Sequence, residues 1–96
     1  MTLRDVARYH AWLDREQPSA DAQRVAAQFL IELTDRPYTA PSIPVEALSG
    51  RPEYEVREVA LPVRGETDVW ILYRLTFVNS AVDVIDVTRG RRRDDG

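Results

Sequence analysis

Arginine side chains are the clearest source of chemistry in this sequence. Two lie within predicted strands, and four more lie at and beyond the end of the last one. They are Arg57, Arg74, Arg89, Arg91, Arg92 and Arg93. A guanidinium group binds phosphate or carboxylate through two parallel hydrogen bonds. Because neighbouring strands bring side chains together, we expect Arg57, Arg74 and Arg89 to form one cationic surface that binds a target, with Arg91 and Arg92 beside it.

Ordinary ion pairing is the alternative role for these arginines. Glu55, Glu58 and Asp86 lie on the same predicted strands, where each could neutralise a nearby guanidinium. Exposed pairs of this kind contribute little to stability and need no function. The run over 91–93 could likewise be a solvated tail. The sequence leaves both interpretations open.

Two residues are candidates for acid–base chemistry, Tyr73 and His10. Tyr73 alternates with Ile71 and Leu75, which places it on the predicted core face, and it would need a strongly lowered pKa to act as a base near neutral pH. His10 lies on the apolar side of the first predicted helix, where a lone histidine is usually a packing residue. We expect both to be structural, and no catalytic residue is assigned.

Contacts with a protein partner are predicted at Trp12, Trp70 and Arg93. Tryptophan is over-represented in binding hot spots. Core filling is the alternative for both tryptophans. The predicted helix favours it for Trp12, whereas Trp70 shares a strand face with Leu72 and Arg74, away from the helices.

The composition excludes several function classes. The chain has no cysteine and one histidine, so thiol chemistry and a histidine-based metal site are excluded, and we expect no cofactor. All 13 basic residues are arginine, yet 16 acidic residues give a net charge of -3, which argues against coating nucleic acid and against sequence-specific DNA binding. No apolar run is long enough to span a membrane, and the first residues lack a signal-peptide pattern. We therefore expect a cytoplasmic protein that does not bind membranes.

The first third of the chain predicts two helices. A helix over about Leu3–Arg15 would be capped by Thr2, and a second over about Ala20–Thr34 carries the strongest apolar period in the chain. The break at Pro18 is short, so the two helices should pack as an antiparallel hairpin.

The second half predicts strands. Apolar and polar residues alternate over 55–63, 68–77 and 82–88, with turn-like links between them. We expect an α+β fold in which the antiparallel helical hairpin covers one face of a three-stranded antiparallel sheet.

One domain is expected, because 96 residues leave no room for a second core. Its parts are a helical hairpin over 1–34, a Pro-rich crossing loop over 35–54, a β-meander over 55–88 and a basic tail over 89–96.

The element order and several motifs resemble the RelE/ParE superfamily of bacterial toxins, the toxic partners in type II toxin–antitoxin modules. The resemblance covers nearly the whole chain. Its most specific pieces are Arg57 on the first strand of the meander, the triplet Leu72-Tyr73-Arg74 on the central strand, and the ending Arg89-Gly90-Arg91-Arg92, where the family often has His-Gly-x-Arg.

The chain resembles the ParE-like branch more closely than the ribonuclease branch. The ribonucleases usually carry an arginine three residues before the central tyrosine, where this chain has Trp70. The resemblance implies a toxin that binds and inhibits a host target such as DNA gyrase and is neutralised by a cognate antitoxin. That antitoxin should lie along the two helices and across the sheet edge, in contact with Trp12, Trp70 and Arg93.

Two alternatives remain under the same resemblance. The first is a ribosome-dependent mRNA endonuclease that needs no metal and uses Arg57, Arg74, Arg89 and Arg91 around the phosphate. The second is a decayed toxin that retains only antitoxin binding.

One departure from the family concerns the N-terminal end. The family begins with a strand before the first helix, and Met1 and Thr2 leave no room for one if the helix starts at Leu3. We therefore expect either that the native start lies upstream or that the sheet lacks this strand and exposes an edge that a partner could cover.

Overall fold

A computed structural model of the chain describes residues 1–37, 42–45 and 53–90. Within these ranges the chain forms two helices and five strands, which confirms the α+β class. In chain order they are β1 (Thr2–Asp5), α1 (Ala7–Glu16), α2 (Ala20–Asp35), β2 (Ile43–Pro44), β3 (Tyr54–Val63), β4 (Glu66–Thr76) and β5 (Ala81–Arg89).

The strands form one mixed sheet in the order β1-β5-β4-β3-β2. β3, β4 and β5 are the predicted antiparallel meander. The prediction of three strands is wrong, because β2 adds antiparallel to β3 and β1 adds parallel to β5.

β1 lies where the sequence predicted the first turn of a helix. Thr2 pairs with Ala81, its amide donates to the Ser80 carbonyl at 2.8 Å, and Leu3 packs against the core. The adjacent edge of β5 offers these residues backbone hydrogen bonds, and this long-range pairing outweighs a weak local preference for helix. A strand before the first helix is therefore present in this chain, and the expectation that the sheet lacks one is wrong.

The start of α1 shifts accordingly. The carboxylate of Asp5, rather than the hydroxyl of Thr2, receives the first helical amide, that of Ala7, at 3.1 Å. Trp12 is the one fully buried residue of α1. His10 is exposed, contrary to expectation, because it is turned about 200° around the helix axis from Trp12.

α2 follows the predicted pattern closely. The Ser19 hydroxyl accepts the Ala22 amide at 3.1 Å and caps the helix. The buried side chains of α2 repeat at intervals of three and four residues and pack against the sheet. They are Ala22, Ala26, Phe29, Leu30 and Leu33.

The core lies between the helices and one face of the sheet. β3 contributes Val59, Leu61 and Val63, as predicted, and β4 contributes four residues that are fully buried. Those four are Val69, Ile71, Tyr73 and Leu75. Phe77, predicted to continue this row, lies beyond the end of β4 and is partly exposed.

No helix in the described ranges is long and apolar enough to cross a membrane.

Candidate functional site: the outer face of the sheet

Strand register divides the predicted arginine surface between the two faces of the sheet. Arg57 pairs with Tyr73, whose side chain faces the helices, so Arg57 lies on the helix-covered face. Arg74 follows Tyr73 along β4 and points to the opposite face. Arg89 pairs with Val69, so its side chain lies on the helix-covered face. The prediction of one cationic surface from Arg57, Arg74 and Arg89 is therefore wrong, because side chains alternate along each strand.

Arg57 and Arg89 also lie apart on the face they share. Their partners on β4, Tyr73 and Val69, are four residues apart, which corresponds to roughly 13 Å along a strand. Their guanidinium groups are held by different carboxylates, those of Glu55 and Glu66, so the two side chains do not converge on one site.

Arg57 holds the short segment 42–45 against the sheet. Its Nε donates to the Ser42 hydroxyl at 3.0 Å, its Nη2 donates to the Ser42 carbonyl at 2.9 Å, and its Nη1 lies 2.6 Å from the Glu55 carboxylate. The side chain is only 12% exposed. This arrangement is the local ion pairing that the sequence allowed as the alternative, and it leaves little of Arg57 for a target.

Arg89 belongs to a second local network, at the opposite end of the sheet. Its Nη2 donates to the Thr67 carbonyl at 2.6 Å and lies 3.2 Å from the Glu66 carboxylate. That carboxylate also accepts the hydroxyl of Ser19, the cap of α2, at 2.7 Å. The Ser19 hydrogen bond and then Arg89 lower the pKa of Glu66. The network ties the corner between the helices to β4 and β5.

Arg74 takes part in a row of charged and aromatic side chains on the face away from the helices, here called the outer face. Its Nη2 lies 3.0 Å from Asp83 Oδ2, and its guanidinium carbon lies 5.7 Å from the centre of the Tyr54 ring. From β1, Arg4 donates to the same carboxylate at 2.9 Å and 2.5 Å. The row thus crosses β3, β4, β5 and β1.

The charge of this row is unevenly exposed. The Asp83 side chain is 7% exposed, whereas those of Arg4 and Arg74 are 43% and 42% exposed. The hydrogen bond from Arg4 and then that from Arg74 hold the pKa of Asp83 below its ordinary value, so the carboxylate stays charged. A nearly buried carboxylate therefore holds two accessible guanidinium groups in fixed positions.

Beside this row the outer face carries partly exposed apolar side chains. Leu72 and Trp70 follow on β4, and the strands on either side place Glu58 and Asp86 directly opposite Leu72. Neither described helix packs on this face. The outer face presents an aromatic side chain, an aliphatic side chain and fixed charges of both signs. Protein-binding surfaces have this mixture of side chains.

Tyr73 has the environment of a structural tyrosine, as predicted. Burial raises its pKa, and nearby Ser42 and Arg57 only partly oppose that rise. Although both lie close, the hydroxyl makes no hydrogen bond of acceptable geometry to a described residue. A base near neutral pH needs a lowered pKa and access to substrate, and Tyr73 has neither.

The three residues predicted to contact the antitoxin have different outcomes. Trp12 is fully buried, so it fills the core and cannot contact a partner in this conformation. Trp70 lies partly exposed on the outer face, where it can. Arg93 lies outside the described residues, as do Arg91 and Arg92 of the predicted target surface.

Arg4 and Asp83 were not predicted from the sequence to lie on this surface. Asp83 could have been identified from the sequence, because it lies between apolar residues of a predicted strand. An acidic residue that is buried there needs a cationic partner. Arg4 could not be identified in this way, because the sequence predicts that it lies in a helix over about Leu3–Arg15 rather than in a strand beside β5. Its role became visible only with the pairing of β1 to β5.

Among the described residues, no three His, Asp or Glu side chains come together in a way that could hold a metal ion. No protein-family model, curated protein or solved structure matches this chain. The resemblance to RelE/ParE toxins thus rests on the motifs quoted above and on the order of the elements.

Proposed function

We propose that this chain is a ParE-like toxin of a type II toxin–antitoxin module, which binds and inhibits a host protein and is neutralised by a cognate antitoxin. The observation that carries the proposal is β1. The described element order is a strand, two helices, the short edge strand β2 and an antiparallel meander, so it includes the strand before the first helix that the resemblance implies. Because one fold can serve many functions, the proposal needs a functional test.

Inhibition by binding is favoured over RNA cleavage. The ribonuclease alternative needs several arginines around one phosphate, but Arg57 and Arg89 are engaged on the covered face and Arg74 lies on the other. Tyr73 is buried with a raised pKa. Among the described residues, no site brings together the cations and the base that phosphoryl chemistry requires.

The outer face is the surface that we assign to the target. Trp70, which the sequence instead assigned to the antitoxin, and Leu72 supply apolar contact area on this face. Arg74 and Arg4 supply guanidinium groups whose positions Asp83 already fixes. Preorganised side chains lose little conformational entropy on binding. A protein target such as DNA gyrase suits this surface better than a nucleic acid, because Asp83, Glu58 and Asp86 lie among the arginines.

Induced expression in bacteria tests the proposal. Growth should stop, the SOS response should follow, and co-expression of the protein encoded by the neighbouring reading frame should restore growth. Arg74→Gln should weaken the arrest, whereas Arg24→Gln, at an exposed pair with Asp21 on α2, should leave it unchanged. Discrete cuts within translated messages, mapped by primer extension, would instead indicate the endonuclease.

A toxin that retains only antitoxin binding is the second candidate. The observation in its favour is that Arg57, Arg74 and Arg89 all pair with carboxylates of this same chain. Normal growth on induction, combined with a stable complex with the neighbouring protein, would select this candidate over an active toxin.

A further inference from the structure

Arg4 and Arg74 approach each other on the outer face through a shared oxygen atom. Both donate to Asp83 Oδ2 from Nη2, at 2.5 Å for Arg4 and at 3.0 Å for Arg74. The two Nη2 atoms therefore lie no farther apart than the sum of these two distances. A second oxyanion can bridge such a gap, because each of its oxygens can accept from one guanidinium group at an ordinary hydrogen-bond length.

Both guanidinium groups keep donors that Asp83 does not use. An arginine side chain has five N–H groups. Arg4 donates to Asp83 from Nε and Nη2, and Arg74 donates from Nη2 alone. Within the described part of the chain, Nη1 of neither arginine makes a hydrogen bond, and the buried Nε of Arg74 also lacks a partner. Because the two side chains are 43% and 42% exposed, the Nη1 donors are available to a ligand.

The charge of the site suits a single carboxylate. Asp83 and its two arginines leave one net positive charge, which a carboxylate neutralises. Leu72, roughly 7 Å along β4 from Arg74, has Glu58 and Asp86 on either side. A doubly charged phosphate would exceed the positive charge of the site, and these two carboxylates would repel it.

The surroundings of the site suit a carboxylate that a protein carries. Leu72 and then Trp70 follow Arg74 on the outer face of β4, and both are partly exposed. Sites for small molecules are concave, whereas neither described helix covers this open face. A free carboxylate would lose little of its surface to water here, but a protein segment that runs along β4 also gains apolar contact.

We propose that Arg4 and Arg74 together bind the carboxylate of one aspartate or glutamate of a protein partner, and that apolar residues beside it lie on Leu72 and Trp70. The Tyr54 ring, 5.7 Å from the guanidinium carbon of Arg74, helps to hold that side chain in place. The inference rests on the assignment of the outer face to a protein target in the proposed function, and it names the group of that target that the face recognises.

Titration with a short peptide tests this inference. The probe is a capped peptide in which one glutamate lies between two leucines, added at constant ionic strength to the ¹⁵N-labelled chain. The Nε–H signals of Arg4 and Arg74 should shift to saturation with a Kd of about 1–10 mM. A peptide with glutamine in place of glutamate should bind at least about tenfold more weakly, because the charged hydrogen bonds are lost. Benzoate and inorganic phosphate, the free-anion arms, should bind more weakly than the glutamate peptide.

Variants of the two arginines test whether both take part. Arg4→Gln and Arg74→Gln should each weaken binding of the glutamate peptide at least about tenfold. Arg74→Lys keeps a positive partner for Asp83 and so preserves the ion pair, but it lacks the guanidinium fork and should weaken binding about threefold or more. Arg24→Gln, at the exposed pair with Asp21, is the matched control and should bind as the unmodified chain does.

The outcomes separate this inference from the proposed function. Equal binding of the glutamate and glutamine peptides, or equal losses in Arg24→Gln and Arg74→Lys, overturns the inference. Tighter binding of benzoate or phosphate than of the glutamate peptide shows that the site takes a free anion, and the protein partner is then wrong. If Arg74→Gln weakens growth arrest but not peptide binding, the inference fails and the toxin proposal stands. If the peptide binds as expected and induction does not stop growth, the carboxylate site stands and the toxin proposal fails.

Discussion

Arginine side chains in this protein join segments that are far apart in the chain. Arg57 reaches Ser42, Arg4 reaches Asp83, and Arg89 reaches Glu66. Each guanidinium makes more than one polar contact, which a lysine could not reproduce with the same geometry. Where the side chain is nearly buried the contacts are structural, and where it is accessible, as on the outer face, the guanidinium also remains open to a partner.

Replacement of Arg57 should be costly for stability. Arg57→Ala removes both hydrogen bonds to Ser42 and leaves the Glu55 carboxylate without this partner, so the free energy of unfolding should fall by about 2–3 kcal/mol. Arg57→Lys should recover only part of the loss. Urea denaturation measures both. Arg24→Ala, at the exposed pair with Asp21, should change the value by no more than about 0.5 kcal/mol, and equal effects at the two sites would refute the structural role of Arg57.

Removal of the Tyr73 hydroxyl should have little effect. The hydroxyl is buried and poorly bonded, so Tyr73→Phe should change the free energy of unfolding by less than about 1 kcal/mol. Growth arrest on induction should persist. Loss of arrest in a variant that is as stable as the unmodified chain would show that the hydroxyl takes part in chemistry, and would favour the endonuclease.

At the level of helices and strands, the sequence correctly predicted the elements whose stability comes from interactions between residues close together in the chain. α2 has a serine cap and a clear apolar period, and it forms within one residue of the predicted range. β1 could not be predicted in this way, because Thr2–Asp5 is too short to show alternation and its stability comes from β5, nearly eighty residues later in the chain. The assignment of an element depends on its tertiary partner in such cases.

The candidate site was predictable only in part. Alternation along β3 and β4 already places Arg57 with Val59 on the core face and Arg74 on the other, so the single cationic surface conflicted with a pattern that the sequence contains. Trp70 on the outer face was predicted correctly. The joining of Arg4 to Arg74 through Asp83 requires the order of strands in the sheet, which the sequence alone does not supply.

The end of α1 provides a test at the scale of one element. Gln17 closes the helix in the left-handed region, at φ 45° and ψ 59°, a conformation that favours glycine. Gln17→Gly should therefore raise the free energy of unfolding by about 0.5–1 kcal/mol, measured by urea denaturation. The same substitution in the interior of α2, Gln28→Gly, should lower it by about 1 kcal/mol. If both substitutions destabilise the protein equally, left-handed strain at Gln17 is not significant.

At the scale of the whole molecule, the sheet separates a packed face from the outer face, to which we assign the target. The helices and the apolar rows of β3, β4 and β5 fill one face, and the row through Arg4, Asp83, Arg74 and Tyr54 crosses the other. Asp83 links β1 to the centre of the sheet, and Glu66 links the helical corner to its far end. Asp83 therefore connects elements at one end of the sheet and Glu66 connects them at the other. Both sets of contacts require an ionised carboxylate.

Acid should therefore weaken the whole fold. The ordinary pKa values of Asp83 and Glu66 are 3.8 and 4.5, and in the folded chain both are lowered, chiefly by the hydrogen bonds from Arg4 and Ser19. At a pH between the folded and unfolded values the unfolded chain binds more protons, so stability rises with pH there. The stabilisation is complete above the unfolded values and is lost as pH falls through the lowered folded ones.

Urea denaturation from neutral pH down to about pH 2 measures this loss. Asp83→Asn should be less stable than the unmodified chain at neutral pH, because Arg4 and Arg74 lose their shared partner, but its stability should decline less steeply in acid. Asp14→Asn, which changes an exposed carboxylate on α1, should follow the unmodified curve. An unchanged acid slope in Asp83→Asn would show that Asp83 does not carry the pH dependence, and that the row across the outer face contributes little to holding β1 on the sheet.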